Sequence, residues 1–249
     1  MSSGSTQSKQ PSWLELLRAT YGHGVQDCFA GTEMHDRAQK LGFGLWLVPG
    51  AVGTDKLKTW SAQLHDCFDD IAETSGTRAI ALKGNKRWYD TIQCVAGSCT
   101  CKYDYEGTAQ HKPYALKDIP CHNQITEWLH SAMQVPHEKQ FNEIVCNRYL
   151  RNFDESIPWH SDVHNNRLLA PDAEVLALTV GSVGAFCWHY NEKDDFSVKA
   201  RQRAIDGKER GVLFLLPGDL LLTDGSFQKR FRHKTLEYSR LVDPDLANR

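Results

Sequence analysis

Fifteen residues near the carboxyl end, GVLFLLPGDLLLTDG (211–225), constrain the fold of this chain more than any other stretch. The run is too short and too interrupted to cross a bilayer, which asks for about 20 consecutive apolar residues. It reads instead as a pair of apolar strands separated by a Pro-Gly-Asp turn. Other short runs of β-formers precede it after Phe141: NEIVCNRYL (142–150), EVLALTVG (174–181) and GAFCWHY (184–190). Gly, Pro or charged residues separate them, and there is neither an internal repeat nor a long linker.

The front of the chain is punctuated differently. Ser12 is placed to cap a short helix through Trp13, Leu14, Leu16 and Leu17. GLWLVPG (44–50) reads as a strand ending in a Pro-Gly turn. Thr54 then caps a longer helix with Leu57, Trp60, Leu64, Phe68 and Ile71 at helical spacing, and another starts near Asn123 and buries Ile125, Trp128, Leu129 and Met133. Helices in front and strands behind predict one α+β domain over 13–249. Its core is a double-sheet jelly roll (a double-stranded β-helix), with the N-terminal helices packed on one sheet.

Composition narrows the setting. The 249 residues are 41% hydrophobic and 24% charged, with a formal net charge of −2, so no global basic field marks a nucleic-acid partner. The first twelve residues, MSSGSTQSKQPS, are polar and lack the apolar stretch of a signal peptide, which predicts a disordered tail. The expectation is an intracellular monomer, nuclear or cytoplasmic, without a membrane segment. Its eight cysteines are then thiols in a reducing compartment. Cys94, Cys99 and Cys101, followed by Cys121-His122, do not have a usual zinc spacing and read as a loop with thiols.

PWHSDVH (158–164) is the stretch that carries chemistry. On a strand or strand end, His160, Asp162 and His164 project from one face, because side chains alternate with period two. An imidazole and a carboxylate so placed are the close pair of a two-His-one-carboxylate facial triad, which binds iron(II) and leaves coordination positions open. The second imidazole must come from elsewhere, and His233 in FQKRFRHKTL is the best distant candidate. Ligation by all three close residues would suit a local zinc clip, not a facial triad. An isolated HxD is common, so its company decides.

That company is an ordered series: Asn147-x-Tyr149, HxD, LTVGSVGAFCW, LLPGDLLLTDG and a downstream histidine. The series resembles the AlkB-like family of iron(II)- and 2-oxoglutarate-dependent dioxygenases, from about Gly44 to the last residue and most densely from Phe141 to His233. The lead-in YDYEGTAQ…IPCHNQITEWLH…FNEIVCNRY is similar to the family's segment before its first ligand. The resemblance implies iron(II), 2-oxoglutarate and O2 as cofactor and cosubstrates. It assigns His160, Asp162 and His233 to the metal and Asn147 and Tyr149 to the 2-oxoglutarate. The family's last strand, R-x-N-x-T-x-R, whose arginines grip 2-oxoglutarate, is represented only by its first arginine, at Arg249, so either the domain lacks that strand here or the cosubstrate is held differently. Arg240 falls only seven residues past His233, closer than the family's spacing.

The resemblance also implies a substrate: an alkylated base in DNA or RNA, flipped into the pocket and demethylated. His164 stands at a position that faces the base in such relatives, and Tyr103 or Tyr105 falls where the family keeps its nucleotide lid, near Trp88 and Tyr89. Two basic stretches, QKRFRHK (228–234) and KARQRAIDGKER (199–210), would rim the pocket and meet phosphates. The same chemistry on a protein or small molecule, and a binding module without catalysis, stand as alternatives.

Overall fold

The structure, a computed structural model, describes residues 37–75, 80–83, 86–96, 113–134, 140–150, 155–157, 159–162, 174–191 and 210–235. The expected disordered tail and the Ser12 helix lie outside these residues.

Three sheets account for the described strands. The first has the order β1 (Gln39–Gly42), β2 (Leu45–Val48), β10 (Leu220–Thr223), β7 (Val175–Leu178), all antiparallel. The second has the order β11 (Phe231–Thr235), β8 (Gly184–Tyr190), β9 (Arg210–Leu215), also antiparallel. The third is built on β4 (Lys86–Val95), which pairs with β3 (Ile80–Lys83), with β6 (Glu143–Arg148) and, in parallel, with β5 (Tyr114–Ala115).

The apolar runs explain where the first two sheets sit. All four residues of β2 and of β10 are buried, so neither face of their sheet is left to water. Alternation sends Leu45, Leu47 and Leu221 to one side, where they meet Phe186 and Trp188 of β8 and Leu213 and Leu215 of β9. Trp46, Val48, Leu220 and Leu222 go to the other side. Waiting there are two helices, α1 (Thr54–Ser75) through Leu57 and Trp60, and α2 (Pro120–Ala132) through Ile125 and Leu129. Each leucine so buried contributes about 2 kcal/mol. Trp60 and Trp128 meet edge to face at 5.4 Å between the helices.

Several expectations are corrected. The two strands read in GVLFLLPGDLLLTDG are present as β9 and β10, but they belong to different sheets, and the turn carries the chain from one to the other. Gly218 permits this with φ +90, at a place where a Cβ would lie 2.7 Å from the Val52 carbonyl oxygen. Asp219 fixes the crossing, its two carboxylate oxygens accepting from the N–H groups of Gly50 and Leu216 at 2.8 Å each. The first helix begins on the Gly53 carbonyl, which accepts from Leu57 N–H at 3.1 Å, so Thr54 lies inside the helix instead of capping it. The second starts at Pro120, three residues before Asn123, because proline at the first position loses no hydrogen bond. The front half is also not merely helical, since β1, β3, β4 and β5 all precede Phe141. Of the expected cysteine loop, Cys94 lies fully buried in β4, and Cys99 and Cys101 lie outside the described residues.

Arg148 fastens the third sheet to α1. Its guanidinium donates to Asp90 on β4 at 2.8 and 3.1 Å and to Asp69 on α1 at 2.9 Å, and it lies 4.7 Å over the Phe68 ring. Asp90 is 2% exposed, so removal of Arg148 takes two charge-assisted hydrogen bonds from a buried carboxylate. Arg148→Ala is expected to cost about 3 kcal/mol, read as a lower urea midpoint at unchanged m-value.

Candidate metal centre

The centre starts from a backbone contact. His160 and His233 form an antiparallel bridge, His160 N–H donating to the His233 carbonyl at 2.9 Å and the reverse bond measuring 2.8 Å. Residues that exchange both bonds lie directly opposite, with side chains on the same face. The two imidazoles therefore meet, with ring centroids 4.2 Å apart, although 73 positions separate them in sequence. His233 is placed by β11, whose alternation turns Phe231 and His233 inward and leaves Arg232 and Lys234 half-buried on the other face.

Asp162 completes the group. One carboxylate oxygen lies 3.5 Å from His160 Nε2 and the other 3.5 Å from His233 Nε2. The three ligating atoms all lie within 4.8 Å of one another. Neighbouring ligands on an octahedral ion with bonds of about 2.1 Å stand roughly 3 Å apart, so a small inward adjustment suits a divalent ion. His160 makes an isolated bridge, however, and no strand pairing extends to Asp162. Its carboxylate is therefore not aimed by the strand's alternation, which was the expectation.

Gln228 does the aiming. Its side-chain carbonyl accepts from Asp162 N–H at 3.1 Å, and its amide donates to Asp162 Oδ2 and to Thr223 Oγ1 at 2.9 Å each. Ser161 Oγ donates to the Gln228 backbone carbonyl at 2.7 Å. Gln228 itself is fully buried on α3 (Gly225–Arg230), a single turn capped by Asp224, which accepts from Phe227 N–H at 2.8 Å. Gly44 lies against that cap with φ +85, where any Cβ would collide with the Asp224 carboxylate. The LLLTDG segment thus both ends a core strand and builds the support for the carboxylate. Sequence reading missed Gln228; the Asp-x-x-x-Gln start of a helix beside the second histidine was the available sign.

The electrostatics favour ligation. Burial would raise the Asp162 carboxyl, but the His233 and His160 imidazoles and the Gln228 amide outweigh it and hold the group well below the usual carboxylate range. Burial, with His160 beside it, pulls His233 down to about 3. At neutral pH the site therefore presents an anion and a His233 ring with a free lone pair. Phe186 stacks on His233 at 5.0 Å and Phe227 lies 6.2 Å from it, closing the apolar side.

The remaining sequence candidates divide in two. Asn147 is an exposed residue of β6, paired across to Thr91, and Tyr149 just past that strand is 37% exposed. Asn147 belongs to the third sheet and Tyr149 follows its strand β6, so neither is on the sheet carrying His233. His164, Tyr103, Tyr105, Arg240 and Arg249 lie outside the described residues. Trp159, not singled out from sequence, is 38% exposed next to the bridge. Its ring meets His189 at 4.3 Å and carries Lys234 Nζ at 4.9 Å. Strand pairing aligns Arg232, His189 and Arg210 across β11, β8 and β9, and Lys229 and Arg230 are exposed on α3.

No protein-family model and no curated protein sequence matches this chain. Solved structures do. The chain is similar to the structure of OsALKBH1, with 12% identity, 80% of this chain and 87% of that one covered, and a TM-score of 0.45. It is also similar to the non-heme alpha ketoglutarate dependent epimerase SnoN from nogalamycin biosynthesis, with 13% identity, 92% and 79% covered, and a TM-score of 0.41. At such values the chemistry of the site is decided by this chain's own residues.

Because Gln228 holds the carboxylate without reaching the ion, Gln228→Ala is expected to weaken divalent-metal binding about 10–100-fold while the fold persists. Anaerobic calorimetric titration alongside circular dichroism checks both parts.

Proposed function

We propose that this protein is an iron(II)- and 2-oxoglutarate-dependent dioxygenase that removes alkyl groups from nucleobases, in the manner of the AlkB-like family. One observation carries the reading: two buried imidazoles and one ionised carboxylate converge on a single point from two chain segments. Three protein ligands on one face, with nitrogen and oxygen donors, are what a non-heme iron(II) oxygenase requires. The two facing sheets and the helices on the outer face of one of them fit the halves of a double-stranded β-helix.

Iron(II) bound there with 2-oxoglutarate and O2 would supply hydroxylation of a C–H bond, giving succinate and CO2 and, from an N-methyl group, formaldehyde. The protein's own contributions are placement and exclusion of water. His160 and His233 offer their Nε2 lone pairs, Asp162 offers the anion, and Gln228 keeps that anion turned inward. Phe186 and Phe227 keep water from the His233 side. Asn147, Tyr149 and Arg249 are assigned to the cosubstrate by the resemblance of their motifs. Tyr103, Tyr105 and His164 are assigned to the base in the same way.

Nucleic acid as the partner is supported by a cationic surface on the outer face of the second sheet, across β11 from the centre. Arg210, Arg232 and Lys234 on the second sheet, with Lys229 and Arg230 on α3, offer cations to phosphates, and the exposed Trp159 offers a stacking face. This cationic surface arises locally in a chain whose net charge is −2.

Anaerobic titration with iron(II) and then 2-oxoglutarate tests the chemistry. A weak visible charge-transfer band is expected for the native chain and should vanish in His233→Ala. Failure of the native protein to bind iron would overturn the proposal. For the partner, replacing Lys229, Arg230 and Arg232 together by Ala should reduce the slope of log affinity against log salt by up to about three for methylated oligonucleotides. An unchanged slope would direct the search to protein or small-molecule substrates.

A further inference from the structure

A second group of ligating atoms lies on other elements altogether. Cys67 is on α1, and Cys121 and His122 occupy the first turn of α2. One ligating atom from each lies within 4.8 Å of the other two, and Cys121 Sγ is 3.2 Å from His122 Nδ1. A tetrahedral ion with Zn–S of about 2.3 Å and Zn–N of about 2.0 Å would hold such a pair roughly 3.5 Å apart. The surroundings are apolar: Phe68, Ile92, Leu116 and Ile119 pack around the group, with Cys94 and Cys146 in the same cluster.

Thiols alone would need no explanation there, since buried cysteine behaves as a small hydrophobe. The imidazole does need one. His122 is fully buried, and its Nδ1 meets the Cys121 thiol, a weak hydrogen-bonding partner for a buried polar ring. Cys121 stands in the first turn of α2, where the helix N-terminus favours an anion. Two sulfur donors and a buried imidazole that converge inside an apolar cluster are a donor set for a metal cation.

We propose that Cys67, Cys121 and His122 bind zinc(II), which ties the fourth turn of α1 to the N-terminus of α2. Two thiolates and a neutral imidazole around a dication leave the site with no net charge, as its apolar setting requires. Binding releases the thiol protons to solvent, without any redox change. Sulfur donors select zinc or copper(I), whereas the nitrogen and oxygen donors of His160, Asp162 and His233 suit iron(II), so the two centres sort metals by donor type. A water in the fourth position of the tetrahedron would keep that neutrality. Both helices pack on the outer face of the first sheet, so the ion would brace the layer that supports the oxidative centre.

The test uses the full chain with the first centre disabled by His160→Ala and Asp162→Ala, so that failure of the iron reading leaves this one intact. About one equivalent of zinc should survive dialysis in that variant and disappear when Cys121→Ser is added. Cobalt(II) added to the chelator-stripped His233→Ala protein should give a near-ultraviolet sulfur-to-metal band, absent from Cys67→Ser. This reading holds even where a cysteine variant folds poorly, because the band of the parent protein reports thiolate ligation directly. Absence of both zinc and the band would overturn the proposal. So would a band that survives Cys67→Ser and Cys121→Ser together, or a Cys67–Cys121 disulfide peptide from protein purified in the presence of zinc.

Discussion

Two backbone hydrogen bonds between His160 and His233 are the contact on which the candidate centre depends. They are independent of side-chain type, yet they set the two rings opposite each other more firmly than flexible loops could. Everything else at the centre adjusts to them. β11 supplies one partner because it is held across its length by β8, and residue 160 supplies the other by adding a single bridge on the side of β11 away from β8. The imidazoles are thereby buried in a place chosen by the sheet, and the burial that would be costly for charged rings keeps His233 neutral and able to ligate.

The sheet is rigid because of the layer behind it. β2 and β10 are apolar on both faces, so they are stable only between two covers. The second sheet is one cover and the two helices are the other. The turn between β9 and β10 joins the second sheet covalently to the first, with Asp219 and Gly218 fixing the crossing. A few residues farther on, the same segment forms the Asp224 cap and brings Gln228 beneath the carboxylate. Core packing and site geometry are thus consecutive parts of one stretch of chain. Substitutions at Gly44 or Asp224 would disturb the centre without touching it.

Donor chemistry separates the two proposed metal sites. One is assembled across strands from nitrogen and oxygen atoms, with a surface of cations and one exposed tryptophan on the other side of β11. The other is assembled between helices from sulfur and nitrogen and is closed in by apolar residues. Closure by apolar residues suits an ion whose work is to hold two helices together. The same physical rule, that a buried charge must be compensated, operates in both places with opposite chemical preferences.

Much of this was legible before any coordinates. Alternation and punctuation located β2, β6, β7, β8, β9 and β10 and the apolar faces of α1 and α2, because those signals are local. The ordered motifs selected His160, Asp162 and His233, which the structure brings together. The charged strand β4 and the short β1, β3 and β5 escaped notice because nothing in a few residues marks a strand whose pairing is supplied from far along the chain. Cys67 could not have been linked to Cys121 and His122 either, since a spacing of 54 residues carries no metal signature. What the sequence by itself determined was which side chains must be buried and which can ligate, both being properties of residue type and local period. Which of them meet was decided only by the tertiary structure, because strand register and helix docking are set by contacts summed over the whole core.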